Sequence, residues 1–398
     1  MVTKSALSAF LHSHLESLKE QSLYRTLRPL ESAPESWVLF QGRRVLNLCS
    51  NNYLGLASHP EVKEAAARAI RQWGCGSGAS RLICGTLTLH EALERRLAAF
   101  KGTEAALLYP SGYMANLGII SALADNEADV FSDELNHASI IDGCRLSGAR
   151  TTVFPHNDVE TLEKKLRQAC DAAPARRRLI AVDGVFSMDG DLAPLPALAD
   201  LAEKYESWLM VDEAHATGVL GPGGRGVVAH FGLEKRVPVV MGTLSKALGS
   251  CGGFAAGSRD LVDFLINTSR SFIFTTAMPP GVVASAQAAL EVLQEDPSLP
   301  MKVQEKASYL RHHLAGLGFN TLNSQTQIIP VMVGDVARAL EMARLLLNEG
   351  LLTIAIRPPT VPQGACRIRV TVMATHTQQD LDFALGAFEK VGRSLRII

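Results

Sequence analysis

Short apolar runs that stop abruptly at ionisable or hydroxylated residues recur along this chain, and they leave few folds open. Leu209-Met210-Val211 stops at Asp212-Glu213-Ala214-His215, and Val239-Val240-Met241-Gly242 stops at Thr243-Leu244-Ser245-Lys246. Runs this short and apolar read as strands buried on both faces, as in a parallel sheet. Further strand candidates lie at 105–109, 129–131, 151–154, 179–182 and 237–241. Stretches with helical spacing separate most of them, notably 159–170 and 197–205. This alternation predicts an α/β chain whose mostly parallel sheet is covered on both faces. Ligands of such sheets collect beyond the carboxyl ends of the strands, so Asp212, His215, Thr243 and Lys246 are predicted to share one pocket.

Flanking regions read differently. Leu7, Phe10, Leu11, Leu15 and Leu18 give residues 1–20 a helical period without a secretory core. Residues 25–44 read as irregular, with a strand expected at 45–49 and helices at 61–73 and 89–100. The Gly-Gly-Phe-Ala-Ala-Gly run at 252–257 reads as a strand with close backbone approach. Beyond Pro280 the pattern shifts to long helices (281–294, 303–317, 336–348) with strands at 328–333, 353–356 and 368–372. Asp296-Pro297 and Leu299-Pro300 punctuate that change. The expected division is an N-terminal helix and strand segment (1–50), a large domain (51–285) and a smaller α+β domain (286–398).

Charge and cysteine usage narrow the class. With 39 basic and 40 acidic residues the net charge is -1, which gives no electrostatic footprint for nucleic acid or an anionic membrane. No apolar run reaches the roughly 18 residues of a membrane span. Seven scattered cysteines without a Cys-x-x-Cys pair fit reduced, mostly buried thiols in a cytoplasmic protein. Two letter matches fall away. Asp-Glu-Ala-His at 212–215 matches a helicase box, yet no phosphate-binding Gly-x-x-x-x-Gly-Lys-[Ser/Thr] accompanies it. Gly221-Pro222-Gly223-Gly224-Arg225-Gly226 matches a dinucleotide fingerprint but follows a loop, and suits a flexible turn.

A lysine at a desolvated strand end, with an acid and a histidine nearby, is what Schiff-base chemistry on pyridoxal 5'-phosphate (PLP) requires. The amine must lose its proton to attack a carbonyl, and the ring nitrogen needs an acidic partner. Alone, Lys246 would read as a solvated loop lysine; the neighbouring motifs change that. His137, in Asn136-His137-Ala138-Ser139, suits either a ring stacked on an aromatic cofactor or a histidine at a helix start. Ser111-Gly112-Tyr113 opens a helix after a strand, where free N–H groups can hold a phosphate. Ser187, just past another strand candidate, suits a hydroxyl reaching a cofactor oxygen or an ordinary turn serine.

Together these motifs resemble the α-oxoamine synthases, a branch of the fold-type-I PLP-dependent transferases. The resemblance takes in Cys49-Ser50-Asn51-Asn52-Tyr53-Leu54-Gly55-Leu56, Gly76-Ser77-Gly78-Ala79-Ser80-Arg81, Asn136-His137-Ala138-Ser139, Ser187-Met188-Asp189-Gly190-Asp191, Asp212-Glu213-Ala214-His215 and Thr243-Leu244-Ser245-Lys246. It implies that Lys246 forms the Schiff base and later moves the α-proton, while Asp212 pairs with the pyridinium. It implies that His215 and Ser187 bond the phenolic oxygen, His137 stacks on the ring, and Gly112, Tyr113 and Thr243 hold the phosphate. Thr275 and Thr276, in Phe274-Thr275-Thr276-Ala277-Met278-Pro279-Pro280, would reach the phosphate of a second subunit, which implies a homodimer with shared sites.

For substrate, the resemblance implies contacts from Arg25, Asn51, His137, Thr360 and Arg369, with Arg369 clamping the amino-acid carboxylate. Ala355-Ile356-Arg357-Pro358-Pro359-Thr360-Val361-Pro362 resembles the members that join a pimeloyl thioester to L-alanine in biotin synthesis. The thioester is carried by coenzyme A or by an acyl carrier protein. Cys84 departs from that pattern: many pimeloyl-using members have serine there, and glycine-using ones often have cysteine. Glycine with acetyl-CoA, and serine or glycine with a longer acyl thioester, therefore stay open. So do a fold-type-I aminotransferase and a catalytically dead subunit of a heterodimer.

Overall fold

The computed structural model describes residues 4–398. The N-terminal helix spans Lys4–Glu20, and residues 1–3 of that expectation lie outside the described residues. Its apolar residues Leu7, Phe10, Leu11, Leu15 and Leu18 are exposed. The strands β1 (Trp37–Phe40) and β2 (Arg43–Asn47) follow as an antiparallel hairpin. β1 falls where irregular chain was expected, and β2 starts two residues before its expected place. The hairpin is disguised in the sequence because its two-residue turn is Gln41-Gly42. Both take positive φ (51° and 69°), which matches strand twist, but glutamine is not a usual marker of such a turn.

Seven strands then build the main sheet: β3 (Ala105–Tyr109), β4 (Ala128–Asp133), β5 (Arg150–Phe154), β6 (Arg177–Asp183), β7 (Trp208–Asp212), β8 (Val239–Thr243) and β9 (Gly253–Gly257). Their order is β3-β9-β8-β7-β6-β4-β5. β4 to β8 pair in parallel, whereas β9 runs antiparallel to both β3 and β8. Neighbouring residues of one strand enter opposite cores, as the two-residue period demands. Ile180 and Val211 pack with Leu93, Leu97 and Leu198 on one face; Leu179 and Met210 pack with Ile119, Ile120 and Ile140 on the other. The close approach expected at 252–257 occurs at Gly253, where a Cβ would lie 2.7 Å from the Cα of Gly112.

The C-terminal part holds β10 (Ile328–Gly334), β11 (Leu351–Leu352), β12 (Ile354–Ile356) and β13 (Cys366–Thr371). β10, β13 and β12 form an antiparallel sheet, while β11 pairs in parallel with β2. Leu46 and Leu48 from the N-terminal segment thus share a core with Leu310, Leu346 and Phe388. The helix Pro280–Glu295 passes residue 285 unbroken. A last helix, Gln378–Ser394, was not expected; it opens on a capping box between Thr377 and Asp380. Among the described residues, no helix is long and apolar enough to cross a membrane.

Two details correct the sequence expectations. All seven cysteines are free, but only Cys144 and Cys366 are buried, and Cys75, Cys84 and Cys251 are exposed. The first two of these exposed thiols lie on the segment around the glycines 74–85, which stays on the surface of the chain. The glycine run at 221–226 is packed rather than loose. A Cβ on Gly226 would sit 2.1 Å from a Glu213 carboxylate oxygen, and one on Gly224 would meet the backbone of Gly218.

Candidate active site

The carboxyl ends of β6, β7 and β8 lie side by side, with Asp183 in register with Asp212 and Asp212 with Met241. Parallel pairing therefore delivers Asp183, Asp212 and Thr243 to one edge of the sheet, with His215 and Lys246 on the turns that follow. A cavity of about 190 Å³ opens there. Gly112, Tyr113, His137, Ser187, Asp212, His215, Thr243 and Lys246 all line it. The structure thus brings together the residues read from five separate stretches of sequence.

Asp212 is 3% exposed. Its Oδ1 accepts from the Ala214 N–H (2.8 Å) and its Oδ2 from the Asn116 amide (2.7 Å). Asn116 also donates to Ser139 Oγ (2.8 Å), and its buried Oδ1 has no partner. Beside them Asp183 accepts from the His137 N–H (2.7 Å), and burial together with the nearby Asp212 holds its carboxyl well above the usual range. Across the cavity, Lys246 Nζ lies 2.8 Å from His215 Nε2. Burial pushes this lysine down to about 8, against the pull of Asp212 and Asp183. Burial also holds His215 well below its ordinary value, and the positive charges of Lys246 and Arg369 press the same way. His215 is therefore neutral near neutral pH, and Lys246 gives up its proton far more readily than an ordinary lysine.

At the other end of the cavity, Ser111 caps the helix Gly112–Leu123 by accepting from the Met114 N–H (3.2 Å). That helix start offers unpaired N–H groups and a positive dipole end. A Cβ on Gly112 would stand 3.0 Å from Met241 Cε, so the backbone borders the space directly. His137 sits at the helix start and also faces the cavity. Its Nδ1 accepts from the Ser139 N–H (3.2 Å) at the start of the helix Ala138–Ser147, and its ring lines the cavity. Tyr113 also lines the cavity while its hydroxyl donates to Asp142. An anion-binding helix end, a buried carboxylate and a depressed lysine in one cavity fit PLP: phosphate, ring nitrogen and carbonyl each meet the group their chemistry needs.

Other expected residues lie elsewhere. Arg369 is 5% exposed and donates to Ser187 O (2.6 Å) and Asn51 Oδ1 (3.2 Å), so these two border the site. Arg25 lies 3.5 Å from Thr360 Oγ1, and both line a second, larger cavity of about 660 Å³ with Arg28 and Arg357. That cavity holds no paired acid and base, so the chemistry belongs to the smaller one. Thr275 and Thr276 line neither of these two cavities; Thr276 is exposed and bridges to Ser80.

The family model of aminotransferases class I and II matches residues 43–388. The chain belongs to that family. Within it, the chain falls in the α-oxoamine synthase branch. It is 52% identical to an 8-amino-7-oxononanoate synthase of Geobacter sulfurreducens, over 96% of this chain and 98% of that one. A protein of the same name from Symbiobacterium thermophilum is 48% identical over 99% of this chain and 100% of that one. Among solved structures, serine palmitoyltransferase from S. paucimobilis with PLP bound superposes with a TM-score of 0.92 at 34% identity, covering 98% of this chain and 99% of that one. An 8-amino-7-oxononanoate synthase from Francisella tularensis gives 0.75 at 26% identity, covering 89% and 99%. The backbone is thus shared by proteins named for different products, so fold alone does not separate their substrates.

Three residues of the site escaped the sequence reading. Asp183 had a signal, since it ends an apolar strand as Asp212 does. Asn116 had none, being one polar residue inside an apolar helix. Tyr53 lay within a family motif but carried no assigned role; its hydroxyl reaches His215 Nδ1 at 2.7 Å.

Proposed function

We propose that this chain catalyses the PLP-dependent, decarboxylative condensation of a pimeloyl thioester with L-alanine, giving 8-amino-7-oxononanoate, carbon dioxide and a free thiol in biotin synthesis. The observation that carries the reaction class is the depressed Lys246 facing the buried Asp212 across one cavity, with Arg369 at its edge. The choice of substrates is supported by the near full-length identity to relatives named 8-amino-7-oxononanoate synthase. Coenzyme A or an acyl carrier protein presents the acyl group, and the enzyme works in the cytoplasm as a homodimer, with Thr275 and Thr276 serving the partner's site. The hairpin β1–β2 and the C-terminal sheet together make the small domain that flanks the large one.

The cofactor, when bound, supplies an electron sink for negative charge at the amino-acid α-carbon. The chain supplies the rest. Asp212 keeps a proton on the ring nitrogen, and the Asn116 and Ala214 donors fix the orientation of its carboxylate. Arg369 holds the alanine carboxylate with its guanidinium fork. Lys246, whose desolvation eases loss of its own proton, takes the α-proton in its neutral form. The α-carbon then bonds to the thioester carbonyl, the thiolate leaves and takes a proton from water, the carboxylate that Arg369 held departs as carbon dioxide, and the proton held by Lys246 returns to the α-carbon. His215 and Ser187 would hold the phenolic oxygen of the bound cofactor, and His137 would cover its ring.

The test is thiol release by the PLP-loaded enzyme, crossing alanine, glycine and serine with pimeloyl-, acetyl- and palmitoyl-CoA. Release confined to alanine with pimeloyl-CoA is expected. Release with another pair overturns the substrate assignment, and activity retained by pure Lys246→Ala overturns the mechanism.

A further inference from the structure

Tyr53 is fully buried, with its hydroxyl at the meeting point of three groups. His215 Nδ1 lies 2.7 Å away, Asn51 Oδ1 3.0 Å away, and Arg369 Nη2 3.4 Å away. Arg369 also donates to the same Asn51 oxygen (3.2 Å). A phenol has one proton to give, and the guanidinium can only donate. The Tyr53 proton therefore goes either to Asn51 Oδ1 or to His215 Nδ1, and the choice fixes the histidine. If Tyr53 donates to Nδ1, the imidazole carries its proton on Nε2, facing the cavity. If Tyr53 donates to Asn51, Nδ1–H points back at the phenol and Nε2 faces the cavity bare.

We propose that Tyr53 is a positioning residue that sets the tautomer of His215 and couples it to Arg369. A phenolic oxygen of PLP accepts hydrogen bonds, so the cofactor is served by the state in which Tyr53 donates to Nδ1 and Nε2–H faces inward. Arg369 steers the choice by occupying Asn51 Oδ1, which makes that oxygen a poorer acceptor for Tyr53. A carboxylate that draws Arg369 away frees Asn51 and releases the Tyr53 proton from His215. Arrival of the amino acid is thereby signalled to the cofactor ring along Arg369, Asn51, Tyr53 and His215. Burial pushes the Tyr53 phenol up, so it keeps the proton it must place, although Arg369 opposes that shift. The groups that bear on the His215 ring are Lys246, Arg369, His137 and Tyr53, and the three cationic or ionisable nitrogens all disfavour its charged form. Its backbone carbonyl is separately anchored by Gln327 Nε2 (2.9 Å).

The signal transmitted by Arg369 rests on its proposed role as carboxylate clamp, but the test uses neither acyl donor nor turnover, so it stands or falls separately. Holoenzyme labelled with ¹⁵N-histidine reports the tautomer directly, with the His215 resonance identified by its loss in His215→Asn. The wild type should show one tautomer with Nε2–H, and Tyr53→Phe, which keeps the ring and its packing, should show a mixture. Arg369→Gln should shift the tautomer ratio in the wild-type background and not in Tyr53→Phe. The pH midpoint of the cofactor absorbance gives a second readout. A hydrogen bond to Nδ1 makes Nε2–H a stronger donor, so the midpoint should rise in Tyr53→Phe and fall when residue 53 is 3-fluorotyrosine, a more acidic phenol. A merely space-filling tyrosine would not track phenol acidity. An unchanged His215 tautomer in Tyr53→Phe, or midpoints that move the same way in both variants, overturns the proposal.

Discussion

His156 is held between two carboxylates that belong to different parts of the site, and removing it should loosen both. Its Nδ1 lies 3.1 Å from Asp133 Oδ1 and its Nε2 2.8 Å from Asp191 Oδ2, while its ring meets Phe186 edge-on at 4.3 Å. Asp133 ends β4, four residues before His137, and Asp191 closes the loop that carries Ser187. Burial works against a charged imidazole here, but the bonds to Asp133 and Asp191 outweigh it and push His156 up to about 10. The ring is therefore cationic at neutral pH. Taking one partner from a buried ion pair costs about 3–5 kcal/mol, and the 22% exposure of this side chain puts His156→Gln near the low end, about 3 kcal/mol. A pKa raised on folding stabilises the fold fully below the unfolded value of about 6.5, and that stability is lost progressively as pH rises through about 10. Urea unfolding of wild type and His156→Gln at fixed protein concentration should thus show the largest gap at pH 6 and almost none at pH 10.5. PLP affinity should fall in the variant as the two loops part. A gap that is the same at both pH values would refute the charge argument, and a gap below about 0.5 kcal/mol at pH 6 would refute the clamp itself.

Asp212→Asn should lower kcat for thiol release by at least about a hundredfold, because an amide cannot hold the ring proton; a rate within a factor of three of wild type would disprove that role. With Lys246 at about 8, the rate at which added PLP develops its bound absorbance in the apoprotein should rise with a midpoint near pH 8. A rate still climbing steeply above pH 9.5 would mean that the amine is an ordinary one. Lys101 Nζ is buried against Glu213 Oε2 (2.5 Å), Thr217 Oγ1 (2.8 Å) and Arg225 O (2.7 Å), so Lys101→Met should cost about 3–5 kcal/mol by stranding the Glu213 charge. Adding Glu213→Leu should recover much of that loss; thermal midpoints of both variants check it.

The sheet and most of the site were legible because one rule produced both. Strands buried on two faces must be short and apolar, and their chemistry must begin where they stop, as at Asp212 and Thr243. The rule fails where geometry is made by conformations with no residue signature. Gln41 in a positive-φ turn hid β1, and β9 runs against its neighbours with nothing in Gly-Phe-Ala-Ala-Gly to declare its direction. Asn116 and Tyr53 act through partners far away in sequence, so no local spacing could mark them. Pairing between β2 and β11 likewise joins distant stretches that each look unremarkable alone.

That last pairing has a consequence for how the chain comes into being. Leu46 and Leu48 find their cover only among residues about 300 positions later. At a synthesis rate of roughly 5–20 residues per second, the hairpin waits on the order of 15–60 s on the ribosome with its apolar side unmet. The strands of the large sheet can pair during that interval, since all seven lie between Ala105 and Gly257 and join only one another. Completion of the molecule is therefore an act of the C-terminus reaching back to the N-terminus, and a chain stopped short of Leu351 would leave its oldest strand permanently open to the wrong partner.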